Sequence, residues 1–344
     1  MRKQGWNDHN RIMEAVLASD WEDFLSGSAS AGPAEAVLET SSYPSPTQLY
    51  FSTQTFIAQL NRPVDLKELF WGLELVDYDM YQPGILKKQM KFTSVTPEEV
   101  EMLVERLRTI PTAHAHLIKK VCTGETFKDI RKVSIGLSKK DLSPNRVKIK
   151  GAFFNCLVVN VRIQVHTSLF KDHHVKIFNT GNVEIPGIQD STHVPIIMDV
   201  VQKCIRRIHP IDRVVECKIV LINSHFNINF YVNRDKLYTL LRQKYGIAAV
   251  FDPCSYPGVQ CKLYFSSDNE IVVKPKEFQT SPVSVMIFRT GSILVVGKCT
   301  EETIHAIYEF LNAIFKDNYD AVAERMVGLT PKKEKKVKKW VIKK

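Results

Sequence analysis

Apolar residues recur along this chain with two periods, and the order in which the periods succeed one another runs through twice. Leu49 to Leu60 reads as a strand rich in Thr, Phe and Ile, after which Asn61-Arg62-Pro63 opens a helix striped by Leu66, Leu69 and Phe70. Cys217 to Ile228 reads as a second such strand. Asn233-Arg234-Asp235-Lys236 then opens a helix with Leu237, Leu240 and Leu241 on one face. Strand-like segments follow in both halves, Phe153 to Ile163 in the first and Tyr256 to Phe265 in the second.

The repetition is sharpest at Val175-Lys176-Ile177-Phe178-Asn179-Thr180-Gly181 and Val285-Met286-Ile287-Phe288-Arg289-Thr290-Gly291. Each stretch is an apolar strand entering a glycine-containing hairpin turn, and each leads into a second strand and then a longer helix. Ile304, Ile307, Tyr308, Leu311, Ile314 and Phe315 form the stripe of the second helix; Ile197, Val201, Cys204 and Ile205 form a weaker one in the first. The unit is therefore strand, helix, several antiparallel strands, long helix, and it occurs twice. Two such units can share one continuous sheet, with the long helices on one face and the other face open. Residues 73–150 find no match in the second half. They read as an insertion holding a helix from Pro97 to Ile110 and a basic loop from Lys139 to Lys150.

Length and composition set outer limits. With 344 residues, 44% of them hydrophobic, the chain can bury a substantial core. No apolar run reaches the ~18 residues of a membrane span, and the first residues do not read as a signal peptide. Seven cysteines lie scattered without a C-x-x-C pair, which fits reduced thiols rather than a disulfide framework. Residues 1–45 combine a short amphipathic stretch (Ile12, Val16, Leu17, Trp21, Phe24, Leu25) with a Ser/Gly/Ala linker, a helix that docks on a partner or packs back on the core. The formal charge of +10 is uneven: residues 331–344 hold eight lysines against one glutamate. Such a tail suits nuclear import, nucleic acid or another anionic partner, or simply solubility. The remainder is mildly basic, which argues against a protein that grips phosphates over its whole surface.

Catalytic chemistry finds little footing. His114-Ala115-His116 and His173-His174 have no cysteine or carboxylate at metal-ligand spacing. No phosphate loop, nucleophile elbow or H-E-x-x-H sequence occurs, and the carboxylates form no paired constellation.

The doubled pattern resembles the TATA-box-binding protein family over about residues 48–320. Asp252-Pro253-Cys254-Ser255-Tyr256-Pro257-Gly258-Val259-Gln260-Cys261-Lys262-Leu263 is similar to the family's Tyr-Glu-Pro…Phe-Pro-Gly…Arg strand. Ile287-Phe288-Arg289-Thr290-Gly291-Ser292-Ile293-Leu294-Val295-Val296-Gly297-Lys298 is similar to its I-F-x-S-G-K-V-V-L-T-G segment. Asp65-Leu66-Lys67-Glu68-Leu69 and Ile177 to Gly181 match in the first half. The insertion and divergence resemble the TATA-binding-protein-like proteins of large nucleocytoplasmic DNA viruses. The resemblance implies an α+β fold, a two-repeat saddle with a continuous curved antiparallel sheet and helices on its convex face. Its parts would be an N-terminal tail (1–45), a first repeat (46–210, insertion about 73–150), a second repeat (211–322) and a basic C-terminal tail (323–344).

Carried over residue by residue, the family's intercalating aromatics fall on Phe288 and Tyr256 in the second repeat and on Phe178 and Phe154 in the first. Counting back from Arg162, as from Lys262 to Tyr256, lands on Cys156, with Phe154 two residues earlier. The groove-reading Asn matches Asn223, and its first-repeat position falls near Thr53. Leu294 and Val296 share the DNA-facing side, where Glu184 and Pro186 are the first-repeat equivalents. Arg289 and Lys298 complete the implied DNA-contacting set. Apolar wedges on such a sheet can unstack base steps in a widened minor groove, and Asn can serve the groove acceptors that separate A·T from G·C. For any one Phe at a strand end the alternative is a plain core residue.

The function implied is a non-enzymatic transcription initiation factor. It would bind A·T-rich double-stranded DNA in the minor groove, bend it and recruit a general transcription factor (TFIIB-like) and RNA polymerase. No cofactor, metal or membrane is implied. The setting would be the nucleus or a cytoplasmic viral factory of the host cell, with packaging in the virion. Two alternatives stand beside it: a protein-interaction scaffold that keeps the fold without DNA bending, and a substrate-binding module of a nucleic-acid enzyme. Glu184 and Pro186 favour the scaffold. Three expectations follow: equivalent hairpins in one sheet, the insertion at one end or on the convex side, and Phe288 and Tyr256 exposed on the concave face.

Overall fold

The computed structural model describes residues 43–124, 126–142, 153–210, 214–265, 271–272 and 282–324. The N-terminal amphipathic stretch and the C-terminal lysine cluster lie outside the described residues.

Among the described residues, thirteen strands form one open antiparallel sheet. In the first half, β1 (Tyr50–Leu60) leads to helix α1 (Leu66–Gly72), then β2 (Gly84–Ser94), helix α2 (Pro97–Arg108) and the hairpin β3 (Ala113–Thr123) and β4 (Thr126–Gly136). A short 3-10 turn at Lys139–Leu142 precedes β5 (Cys156–His166), β6 (Leu169–Phe178), β7 (Asn182–Ile188) and helix α3 (His193–Arg206). The second half runs β8 (Val214–Asn227), helix α4 (Arg234–Gln243), β9 (Ala248–Val250), β10 (Val259–Phe265), β11 (Ile271–Val272), β12 (Val283–Ile287), β13 (Ser292–Gly297), helix α5 (Glu301–Asp317) and the short helix α6 (Tyr319–Val322). Strand order is β11-β10-β12-β13-β8-β1-β7-β6-β5-β2-β4-β3, with β9 also on β10. The halves meet where β1 pairs β8.

The two hairpin turns are built alike. Gly181 and Gly291 both adopt left-handed φ values, 87° and 80°. A Cβ at either would collide with a carbonyl oxygen, that of Arg62 in one case and of Phe230 in the other. Only glycine satisfies both the turn and the close approach. Each amide then donates to the Phe three residues earlier, Gly181 N to Phe178 O at 2.9 Å and Gly291 N to Phe288 O at 3.0 Å.

Alternation along the strands sends one residue set beneath the helices and the other to the open face. Beneath α1, α2 and α3 lies one core, with Leu69, Phe70, Val159, Ile177 and Ile197 fully buried; beneath α4 and α5 lies another, with Leu237, Val259, Ile287, Ile304 and Phe315. The sheet is continuous although the core is double.

Two boundaries differ from the sequence reading. Helix α1 is capped by Asp65, whose carboxylate accepts from Lys67 N and Glu68 N, and not by Asn61. Asn233 does cap α4, accepting from Lys236 N at 3.0 Å. Residues 73–150 also do not lack a counterpart throughout: β2 lies beside β5 as β9 lies beside β10. Among the described residues, the second half has no counterpart of α2 or the β3–β4 hairpin, and that hairpin adds two strands to the end of the sheet beyond β2.

Candidate nucleic-acid interface

On the side of the second half opposite the described helices the middle strands are apolar, and Met286, Val296 and Leu221 there are themselves buried, at 3%, 3% and 7% exposure. On β13, Leu294 and Val296 point away from the helices, beside Met286 of β12 and Leu221 and Asn223 of β8. Phe288 continues the series Ser284, Met286 past the end of β12, outside the helix-covered core. It does not stand exposed as expected: only 6% of it is accessible. Its ring packs on Tyr256, centroids 5.9 Å apart and planes at 53°, and a Cβ on Gly258 would sit 3.0 Å from it. Tyr256 is the outer, half-buried ring, and burial raises its phenol pKa. The turn carrying it is held by Asp252, which accepts from Cys254 N, and by Arg234, which donates to Pro257 O. The pair forms a two-ring wedge with Phe288 behind Tyr256.

Register settles the first-half equivalents. Val259 pairs Ile287 as Leu157 pairs Ile177. Stepping back equally from Val259 and Leu157 puts Phe154 opposite Tyr256, and Cys156 in the place of Gly258. Phe154 is 58% exposed, with the Lys91 ammonium 4.0 Å from its ring centroid. Phe178 is half-buried. Cys156 is fully buried, and that burial pushes its thiol up to about 12. Lys262 matches Asn160 and not Arg162. Arg162 is committed elsewhere, to Asp172 at 2.9 Å and to the carbonyls of Tyr78 and Met80 at 2.7 and 3.1 Å.

The first half departs most where Met286 and Leu294 would be. Lys176 and Glu184 occupy those places and pair at 2.7 Å. Phe153 lies over the ammonium, 5.3 Å from ring centroid to Nζ.

At the seam, Thr53 sits directly opposite Asn223, and Asn223 Nδ2 donates to Thr53 Oγ1 at 2.8 Å. The pairings of β1 with β7 and of β8 with β13 make Thr55 the true repeat equivalent of Asn223, and Thr55 is buried. Next to Asn223, His225 has its pKa lowered by burial. The remaining two expected contacts separate. Lys298 is exposed just after β13. Arg289 leaves the set, because alternation turns it from Phe288's side and Glu324 captures its guanidinium at 2.7 and 3.0 Å.

These features define a class: an α+β protein with an open antiparallel sheet, built from two like halves, with an aromatic ring pair on the side opposite the described helices. No family model matches the chain. The chain is similar to the TATA-box-binding protein-like protein of Acanthamoeba polyphaga mimivirus, at 23% identity over 164 residues. That match spans 43% of this chain and 44% of the relative, so less than half of the relative's length is represented. Among solved structures, the TBP of Methanococcus jannaschii aligns with 78% of this chain and 98% of its own, at 16% identity and a TM-score of 0.39. The resemblance read from the motifs thus has support in sequence, in the similarity to a TATA-box-binding protein-like protein of viral origin.

Proposed function

We propose that this chain is a transcription initiation factor that binds A·T-rich promoter double-stranded DNA in the minor groove, bends it and recruits the polymerase machinery. The observation that carries this reading is the Tyr256–Phe288 ring pair beside Met286, Leu294 and Val296, on the side of the sheet opposite the described helices. A flat apolar face fits a widened minor groove and cannot read the major groove's donor–acceptor code. Unstacking a base step costs a few kcal/mol, offset by the contact area that bending adds. The wedge is one-sided, so the second half drives the sharper kink and the first half contributes a polar, charged contact. A TFIIB-like factor and RNA polymerase are the partners of this reading, in the nucleus or a cytoplasmic viral factory, with carriage in the virion.

A second reading, a scaffold on the same fold that no longer bends DNA, draws on Lys176–Glu184 and on Asn223. The ion pair replaces apolar surface, and the amide donor that a groove acceptor would use is engaged by Thr53. One titration separates them. Fluorescence anisotropy with A·T-rich and G·C-rich duplexes at two salt concentrations is expected to show tighter A·T-rich binding at both. Equal weak binding to both duplexes, vanishing at the higher salt, would select the scaffold.

A further inference from the structure

The inserted hairpin ends the sheet on a long edge. The eleven residues of β3 pair with β4 on one side, and among the described residues no strand lies on the other. Every residue of β3 except Ala113 and Val121 is exposed. A strand edge presents a row of backbone donors and acceptors that invites another chain, and proteins commonly keep such edges short. Register with β4 sorts the side chains. His114 pairs Ser134, His116 pairs Lys132 and Lys119 pairs Ile130, so these three donors share one face. Leu117, opposite Arg131, belongs to the other face and is 46% exposed. Ile118, which the bulge between Leu117 and Lys119 leaves out of the pairing, is 42% exposed. Ala113–Thr123 contains two lysines, two histidines and no carboxylate. Lysines and a bulge are the ordinary guards of an edge. Here they also determine which strand the edge accepts.

We propose that the outer edge of β3 is a docking site for an extended acidic segment of a protein partner, which adds one strand to the sheet. Carboxylates at alternate positions of that segment lie beside His114, His116 and Lys119, and the aliphatic residues between them lie beside Leu117. Backbone pairing supplies the affinity, and the alternate side chains supply the specificity. A second copy of this chain is a poor occupant, because β3 against β3 sets lysine and histidine against their like with no carboxylate between them. Duplex DNA also fits poorly. An edge alternates N–H donors with carbonyl acceptors, and phosphate oxygens can answer only the donors. The same lysines that repel a second copy attract the acidic strand, so attraction and exclusion come from one set of side chains. The site lies outside the two paired halves and stands whether or not they bend DNA.

The test adds a short peptide of alternating glutamate and valine to the full chain and reads amide hydrogen exchange across Ala113–Thr123. The peptide should slow exchange in β3 and leave the other strands as they were. His116→Glu/Lys119→Glu should weaken its binding by about tenfold, as two attractive cross-strand pairs become repulsive, and should instead accept a peptide with lysine in place of glutamate. Two forms of the glutamate peptide, N-methylated at alternate amides in opposite phase, carry the same charge but each loses one hydrogen-bonding edge. One should still protect β3 and the other should not. Equal protection by both forms would show attraction by charge alone and overturn strand addition. Exchange in β3 that is already slow without peptide, and unchanged by it, would show an edge already filled and equally overturn the site. Protection by an A·T-rich duplex but not by the peptide would assign the edge to DNA, and protection of the chain alone that fades on dilution would assign it to a second copy. Should the charge-reversed variant fail to fold, the two methylated peptides decide the matter on the parent chain.

Discussion

Lys176 Nζ lies 2.7 Å from Glu184 Oε1, and the two residues stand where the other half of the sheet sets Met286 beside Leu294. Both side chains are largely shielded from water, at 12% and 6% exposure. The sheet therefore contains its own isosteric comparison: one register position filled once by an ion pair and once by two apolar chains.

Removing one partner strands the other charge out of water. Lys176→Met should cost about 3–5 kcal/mol in urea unfolding, whereas Lys176→Met/Glu184→Leu should return to within about 1 kcal/mol of the parent or exceed it. A double variant as unstable as the single would show that Phe153 and its neighbours need the charges.

Tyr256 and Phe288 separate folding from binding. Phe288→Ala removes a buried ring and should lower stability by about 3 kcal/mol or more, as Phe truncations in cores do. Tyr256→Ala, at the outer ring, should cost less stability but weaken duplex binding by about 1–3 kcal/mol, by analogy with base–aromatic stacking. Because no phosphate contact is lost, that weakening should be the same at low and high salt. Normal bending by Tyr256→Ala, read by energy transfer between duplex ends, would remove the wedge from the mechanism.

Asn223→Ala takes away the bond to Thr53 and should cost about 1 kcal/mol of stability. If the amide leaves Thr53 to serve groove acceptors, the variant also loses part of its discrimination between A·T-rich and G·C-rich duplexes. Unaltered discrimination in a competition titration would confine Asn223 to holding the seam.

Lys88 sits on the other side of β2, its ammonium donating to Leu73 O at 2.6 Å beneath the helices. Burial, and then Arg106, lower its pKa to about 8. Below pH 8 the folded and unfolded chains both hold this proton and the burial cost is at its full value. Between about 8 and the ordinary lysine value of 10.5 only the unfolded chain still holds it, so stability gains with rising pH. The difference in unfolding free energy between parent and Lys88→Met should therefore shift in the parent's favour across that window. A pH-independent difference would mean that Lys88 keeps an ordinary pKa.

The paired glycine turns and the stripes of α4 and α5 were readable in the sequence because one residue type at one spacing serves each purpose. The strand β2 was not. Lys87, Lys88 and Lys91 make Gly84–Ser94 look polar, and its counterpart β9 has only three residues, too few to show a period. Phe154 could not be fixed by counting from a basic residue, since Arg162 is not the match for Lys262; pairing partners across the sheet were needed. Two further relations are legible in the sequence itself. Residues 176 and 184 are symmetric about the same turn that Gly181 marks, so their contact follows from hairpin arithmetic. Arg289 likewise follows Phe288 and must face the opposite way.

The lead-in to β1 belongs by sequence to the first half and by packing to the second. Tyr43, Leu49 and Phe51 pack against the core beneath α4 and α5, Thr47 N donates to Asn227 O at 2.7 Å, and the Tyr308 hydroxyl donates to Thr47 O at 3.0 Å. Severing the chain near residue 212 would therefore not release two autonomous pieces, because the downstream fragment would expose a patch that only the upstream fragment can fill. Cooperative melting follows from this interleaving, so two like halves in sequence are, energetically, one indivisible folding unit.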